Sequence, residues 1–147
     1  MKKILMGIGS ELQGDDGIGS IIAKELKNKE WLSLVCDTVP ENFAGVVERE
    51  KPELLVLVDA AEMNLPVGSL RQLPTEKLNS LIIGTHGIPL KHLVSRLEKA
   101  SGKTIFIGVQ PGKIRFGDSL SEELKQAKQK LLLLIEKNAW QEIEKLF

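Results

Sequence analysis

Apolar runs and amphipathic stretches alternate along the chain, a pattern typical of a protein that mixes strands and helices. The continuous apolar run Leu54–Val58 predicts a central strand that is buried on both faces. Other apolar segments predict strands over Lys2–Ile8, Leu32–Cys36 and Lys103–Val109, and a possible edge strand over Ser69–Leu73.

Helical spacing of apolar residues fills the intervals between these strands. Helices are predicted over 16–28, 43–50 and 89–100. A last long helix is predicted to begin near Ser119 or Ser121, and Ser119 with Glu122 matches a capping box. Strands that alternate with helices indicate an α/β fold, in which a layered sheet has right-handed crossovers.

The overall composition restricts the class of protein and its partners. The chain has 147 residues, of which 42% are hydrophobic and 27% are charged, and these values predict one globular domain over residues 1–147. Twenty basic and 20 acidic residues cancel. No basic field therefore favours nucleic-acid binding or attraction to anionic lipid.

Two further features indicate the cellular compartment. The first apolar run stops at Ile8 without the cleavage-site pattern of a signal peptide, and no segment is long enough to span a membrane. We therefore predict a cytoplasmic protein without membrane insertion. The single Cys36 excludes an internal disulfide and a Cys-cluster metal site, and its strand pattern predicts a core position.

Acidic and imidazole side chains occur where the predicted strands give way to loops. Asp15 and Asp16 follow the first strand at the start of a helix. Asp59 ends the central apolar run, and His86 lies in a loop punctuated by Gly and Pro. Because the carboxyl ends of parallel strands lie at one edge of a sheet, Asp16 and Asp59 are expected to share a site. Two carboxylates and a neutral imidazole suit a divalent transition metal better than a phosphate.

Each candidate also has a purely structural interpretation. Asp16 could cap the helix that follows it, and Asp59 could accept hydrogen bonds from loop amides. A lone His such as His86 is more often a structural residue than a ligand. A nucleotide-binding loop is disfavoured, because no Lys or Arg lies between Lys3 and Lys24 to attract a phosphate.

Three motifs in order carry a family resemblance. They are Gly7-Ile8-Gly9 with Gly14-Asp15-Asp16-Gly17-Ile18-Gly19, then Val58-Asp59-Ala60, then Thr85-His86-Gly87-Ile88-Pro89-Leu90. In order and spacing they resemble the hydrogenase maturation endopeptidases, which process the C-terminus of [NiFe]-hydrogenase large subunits. The segment 105–111 is most similar to the branch that serves formate-hydrogenlyase-type hydrogenases. The chain departs from the family pattern in having Ser10 for the usual Asn, and Asp37-Thr38-Val39 for the usual Asp-Gly-Gly-Thr run.

The resemblance implies a fold, a site and a substrate. The implied fold is a three-layer α/β/α sandwich around a twisted, mostly parallel five-stranded sheet. The implied catalytic and metal-contacting residues are Asp16, Asp59 and His86. Nickel is expected to arrive in the substrate, the large-subunit precursor, rather than to be a permanently held cofactor. The implied reaction is removal of a short C-terminal extension from that precursor.

The residues leave the mechanism open. Nickel beside the scissile peptide could polarise its carbonyl or acidify a bound water, or one Asp could act as general base. No Ser–His or Cys–His pattern supports covalent catalysis. The protein is expected to be metal-free when purified. Two other hypotheses stay open: a nickel-sensing metallochaperone that binds the large subunit without cutting it, and a small-molecule hydrolase.

Overall fold

The computed structural model describes residues 1–83 and 90–147. Its strands are β1 (Lys3–Ile8), β2 (Trp31–Asp37), β3 (Leu54–Glu62), β4 (Leu70–Leu73), β5 (Ile82–Ile83) and β6 (Lys103–Val109). Its α-helices are α1 (Ile18–Glu25), α2 (Ala44–Glu50), α3 (Leu90–Ala100) and α4 (Glu122–Glu136). Short 3₁₀ helices cover Gly14–Gly17, Pro40–Phe43, Thr75–Ser80 and Trp140–Glu142.

The sheet is mostly parallel, as predicted. Its main path runs in the order β2-β1-β3-β6-β4, and β5 pairs with β3 beside that path. The pairs β1–β2, β1–β3 and β3–β6 are parallel, whereas β4 is antiparallel to β6 and β5 is antiparallel to β3. The carboxyl ends of β1, β2, β3 and β6 therefore lie at one edge of the sheet, which we call the carboxyl edge.

Helices cover both faces of this sheet, which confirms the three-layer arrangement. Alternate residues of β3 enter different apolar clusters, so that Val56 lies in one cluster and Leu57 in the other. The first cluster contains Ile22 of α1 and Leu131 of α4, and the second contains Val94 of α3. The continuous apolar run of β3 is thus explained by burial on two sides.

Three predicted elements have wrong boundaries. The central strand continues past Val58 to Glu62, because β6 pairs with it as far as Ala60 and β5 pairs beyond that point. The first helix begins at Ile18, after the 3₁₀ turn Gly14–Gly17, and ends at Glu25. The cap of α4 is Ser121, whose side chain accepts a hydrogen bond from the Leu124 amide, so the capping box based on Ser119 does not form.

Candidate functional site

Asp16 and Asp59 meet at the carboxyl edge around one glycine. Gly9, directly after β1, has a φ of 125°, which favours glycine. A Cβ atom at this position would overlap the backbone carbonyl of Asp16 and would lie 3.4 Å from Oδ1 of Asp59. Both aspartates are fully buried. The structure therefore places the backbone of Asp16 and the carboxylate of Asp59, two of the three residues proposed from the sequence, against the same glycine.

The side chain of Asp16 organises the loop that precedes it. Its Oδ2 accepts a hydrogen bond of 2.9 Å from the backbone N–H of Ser10. The N-cap position of α1 is held by Gly17, without a side-chain cap. The capping interpretation of Asp16 is therefore wrong. The same loop is fixed from α1, since Ser20 donates a hydrogen bond of 2.7 Å from Oγ to the carbonyl of Gly9.

Asp59 lies within β3 rather than at its end. Its Oδ1 accepts a hydrogen bond of 2.7 Å from the backbone N–H of Ala60. Asp59 and Asp16 each take part in further interactions besides these hydrogen bonds. A buried carboxylate must be paired, hydrogen-bonded or bound to a cation, because an isolated charge in the interior costs several kcal/mol. Burying two carboxylates at the carboxyl edge costs free energy, and a purely structural role does not account for that cost.

His86, the third nominated residue, lies outside the described residues. On one side of it β5 ends at Ile83, and on the other α3 begins at Leu90. Because β5 pairs with Ala61 and Glu62 of β3, the chain reaches this segment next to the strand that carries Asp59. Within residues 1–83 and 90–147, no three His, Cys, Asp or Glu side chains lie close enough to hold a metal ion.

Asp15 has a different environment from its neighbour Asp16. Its carboxylate accepts hydrogen bonds from the backbone N–H of Gly112 (2.8 Å) and from both the N–H and the Oγ of Ser121 (2.7 and 2.9 Å). It is 1% exposed. Asp15 therefore ties the glycine loop to the loop after β6 and to the start of α4. The sequence offered no signal that separates these two aspartates.

Gln110 is a buried residue that the sequence pattern did not single out. Its Oε1 accepts hydrogen bonds from the N–H groups of Met63 (2.7 Å) and Leu65 (3.3 Å), and its Nε2 donates to Oε2 of Glu62 (2.9 Å). The Asn64 amide and then the Gln110 amide hold the pKa of Glu62 below its usual value. Gln110 thus fixes the end of β3, three residues beyond Asp59. The sequence signal that could have identified it is its position as a polar residue directly after the buried strand Lys103–Val109.

Comparison with known proteins identifies the family. Residues 22–138 match the model of the HycI family, described as hydrogenase maturation protease. The chain belongs to this hydrogenase maturation protease family. It is 29% identical over 131 residues to the hydrogenase 3 maturation protease of Escherichia coli K12, covering 86% of this chain and 84% of the relative. It is 32% identical over 143 residues to a putative hydrogenase maturation protease of Methanocaldococcus jannaschii, covering 89% and 84%.

Solved structures of the hydrogenase maturation proteases share the fold described above. A crystal structure of a hydrogenase 3 maturation protease superposes with a TM-score of 0.90 at 25% identity, covering 100% of this chain and 97% of the other. The HycI protease of Thermococcus kodakarensis KOD1 gives 0.83 at 30% identity, covering 94% and 92%. Family membership makes this chain a protease of hydrogenase maturation.

The thiol of this hydrogenase maturation protease is unsuited to nucleophilic catalysis. Cys36 is fully buried, and burial together with the negative charge of Glu41 raises its pKa from 9.0 to about 12. Since the thiolate is the nucleophile, the residue is unreactive at neutral pH.

No helix in the described part of the chain is both long and apolar enough to cross a bilayer.

Proposed function

We propose that this protein is the endopeptidase that removes a short C-terminal extension from the nickel-loaded precursor of a [NiFe]-hydrogenase large subunit. Membership of the hydrogenase maturation protease family supports the class of reaction. The observation that carries the proposal is the meeting of Asp16 and Asp59, both fully buried, around Gly9 at the carboxyl edge. Ligands of open α/β sheets bind at this edge.

Nickel enters this proposal as part of the substrate. Carboxylate and imidazole ligands suit a divalent metal, and a cation beside Asp16 and Asp59 would offset the cost of burying two negative charges. We assign His86 as the third ligand from its sequence motif. The set contains no cysteine, and Cys36 is buried as a neutral thiol in the core. Because only these three side chains are proposed as ligands, we expect the protein to bind the metal weakly when the substrate is absent.

The chemistry is addition of water to the scissile carbonyl carbon, followed by rupture of the C–N bond. The proton lost by the water goes to the departing amine. Two routes fit the residues: the bound nickel polarises the carbonyl or acidifies the water, or one of Asp16 and Asp59 takes the proton as general base. A covalent acyl-enzyme has no nucleophile in this set. We place the reaction in the cytoplasm on the basis of the sequence.

The intact mass of the large-subunit precursor tests the proposal. Nickel-loaded precursor incubated with this protein is expected to lose the mass of its C-terminal extension, and nickel-free precursor is expected to keep it. Equal cleavage of both forms would contradict nickel recognition. A stable complex with unchanged precursor mass would instead favour the non-cleaving metallochaperone.

A further inference from the structure

Exposed apolar side chains occur in every loop that follows a parallel strand. One large apolar residue stands out in each of these loops: Leu12 after β1 (65% exposed), Val39 after β2 (39%), Val67 after β3 (36%) and Phe116 after β6 (72%). All four loops leave the carboxyl edge of the sheet, where Asp16 and Asp59 lie. Contiguous exposed apolar surface on a protein marks an interaction site more often than scattered single residues do.

Three of these residues belong to neighbouring loops, and we call them the rim patch: Leu12, Val67 and Phe116. The backbone N–H of Gly117 donates a hydrogen bond of 2.9 Å to the carbonyl of Leu12, so the loops that carry Leu12 and Phe116 are joined. Val67 adjoins the loop that carries Phe116, since its Cγ1 lies 3.4 Å from the position of a Cβ atom on Gly112.

The loops of the rim patch are held firmly, so the exposure of Phe116 is a property of an ordered segment. The N–H of Gly14 donates to the carbonyl of Asp118 (3.1 Å), and Nε of Arg115 lies 3.0 Å from Oδ2 of Asp118. The buried carboxylate of Asp15 fixes the loop at its other end through Gly112. A preorganised surface costs less to bind than a loose one, because less conformational freedom is lost.

A cavity borders the rim patch. It has a volume of about 430 Å³, and Asp15, Val67, Gly112 and Lys113 are among its lining residues. Asp16 and Asp59 do not line this cavity. The rim patch adjoins the candidate site through Leu12, which lies in the loop between Gly9 and Asp16, where the N–H of Ser10 donates a hydrogen bond to the Asp16 carboxylate. A protein chain seated on the rim patch would thus contact the loop that the Asp16 carboxylate holds.

We propose that the rim patch is the surface on which the folded large-subunit precursor docks, which rests on the function proposed above. Twenty basic and 20 acidic residues give the protein no net charge to attract a partner over long distances. Affinity must then come mainly from contact, and an apolar patch supplies it. A second copy of this chain seated on the rim patch would cover the site, so the substrate is the occupant that the location favours.

Paired variants test this assignment. In Leu12→Ser combined with Phe116→Ser, the dissociation constant for the nickel-loaded precursor, measured by biolayer interferometry, is expected to rise about tenfold or more. In the processing assay KM is expected to rise by a similar factor while kcat stays within about twofold, because neither side chain is placed at the reacting bond. Circular dichroism and thermal unfolding establish that the variant is folded.

The matched control is Leu133→Ser. Leu133 is 51% exposed on α4, about three turns from the start of that helix. Its substitution should leave both the affinity for the precursor and KM unchanged. Unchanged precursor affinity in the double variant would overturn the assignment. So would sedimentation that shows wild-type dimers and monomeric variant, because the patch would then join two copies. If the wild type binds the precursor through the patch without cleaving it, the proposed function fails and the docking surface stands.

Discussion

Two consecutive carboxylates of this protein have different hydrogen-bond partners. Asp15 accepts hydrogen bonds from residues 97 and 106 positions away, Gly112 and Ser121, and so links distant parts of the chain. Asp16 accepts one from Ser10, only six positions away, and lies against Gly9 at the carboxyl edge. Asp15 is therefore expected to matter for stability and Asp16 for activity.

Replacing Asp15 should weaken the fold. Asp15→Ala removes three hydrogen bonds to a buried charged group, and we expect the free energy of unfolding to fall by about 2–4 kcal/mol. Urea denaturation measures it. The control is Asp118→Ala, which removes an exposed ion pair with Arg115 and should cost less than about 1 kcal/mol. Equal losses in the two variants would contradict the anchoring role.

Replacing either proposed ligand should stop processing with little change in shape. Asp16→Asn and Asp59→Asn keep the side-chain volume but remove the charge, and each is expected to lower the rate of precursor cleavage by about 10²–10⁴-fold. Intact-mass time courses measure the rate. Glu62→Gln is the matched control, since Glu62 is an exposed carboxylate three residues beyond Asp59 on β3. Full activity in either Asn variant would remove that residue from the site.

The buried thiol gives a prediction about pH. With a pKa of about 12, Cys36 at pH 8 is ionised in about one molecule in ten thousand. We expect no alkylation of the native protein by iodoacetamide at pH 8 and rapid alkylation in urea, followed by mass spectrometry. Because the folded-state pKa lies above the unfolded value, the contribution of Cys36 to stability is complete below pH 9 and declines as the pH rises toward 12. Rapid labelling of folded protein would contradict this account.

At the scale of elements, strands with long apolar runs were predictable, but not all of their ends were. The bounds predicted for Lys103–Val109 are those of β6 in the structure. The continuation of β3 beyond Asp59 could not be predicted, because it depends on pairing with β6 and with the two-residue strand β5. The site was predictable to the extent that Asp16 follows β1 and Asp59 lies in the carboxyl-terminal half of its parallel neighbour β3. The separate role of Asp15 depends on contacts with residues 112 and 121, which no local pattern reveals.

The packing of α1 on the sheet depends on close backbone contact. A Cβ atom on Gly19 would overlap the carbonyl oxygens of Val58 and Ile8, which belong to β3 and β1. Gly19→Ala must therefore push the helix away from the strands on either side of the site. We expect a loss of stability of more than about 2 kcal/mol, measured by thermal unfolding.

The control for this prediction is Gly45→Ala on α2. A Cβ atom there would meet only the end of the Arg49 side chain, at 3.6 Å. Since alanine favours a helix over glycine, this change should stabilise the protein by about 0.5–1 kcal/mol. Equal tolerance of both substitutions would show that α1 does not depend on the contact at Gly19.

At the scale of the whole molecule, balanced charge and an apolar rim indicate how the partner is bound. The 20 basic and 20 acidic residues give no net charge, so there is no net attraction for salt to screen. We expect the dissociation constant for the precursor to change less than about threefold between about 0.05 and 0.5 M NaCl. Measuring the dissociation constant across this range of salt tests the prediction. A steep loss of affinity with salt would point to an ionic interface instead.

The backbone around Gly9 restricts which residues evolution can place at this position. The volume that any larger residue would need there is filled by the main chain of Asp16 and bordered by Asp59. No rotamer change elsewhere can restore that volume, because the obstruction is backbone. A homologue with a larger residue at this position is therefore expected to be inactive even if it keeps the three proposed ligands, Asp16, Asp59 and His86, so those three positions alone would not identify an active enzyme.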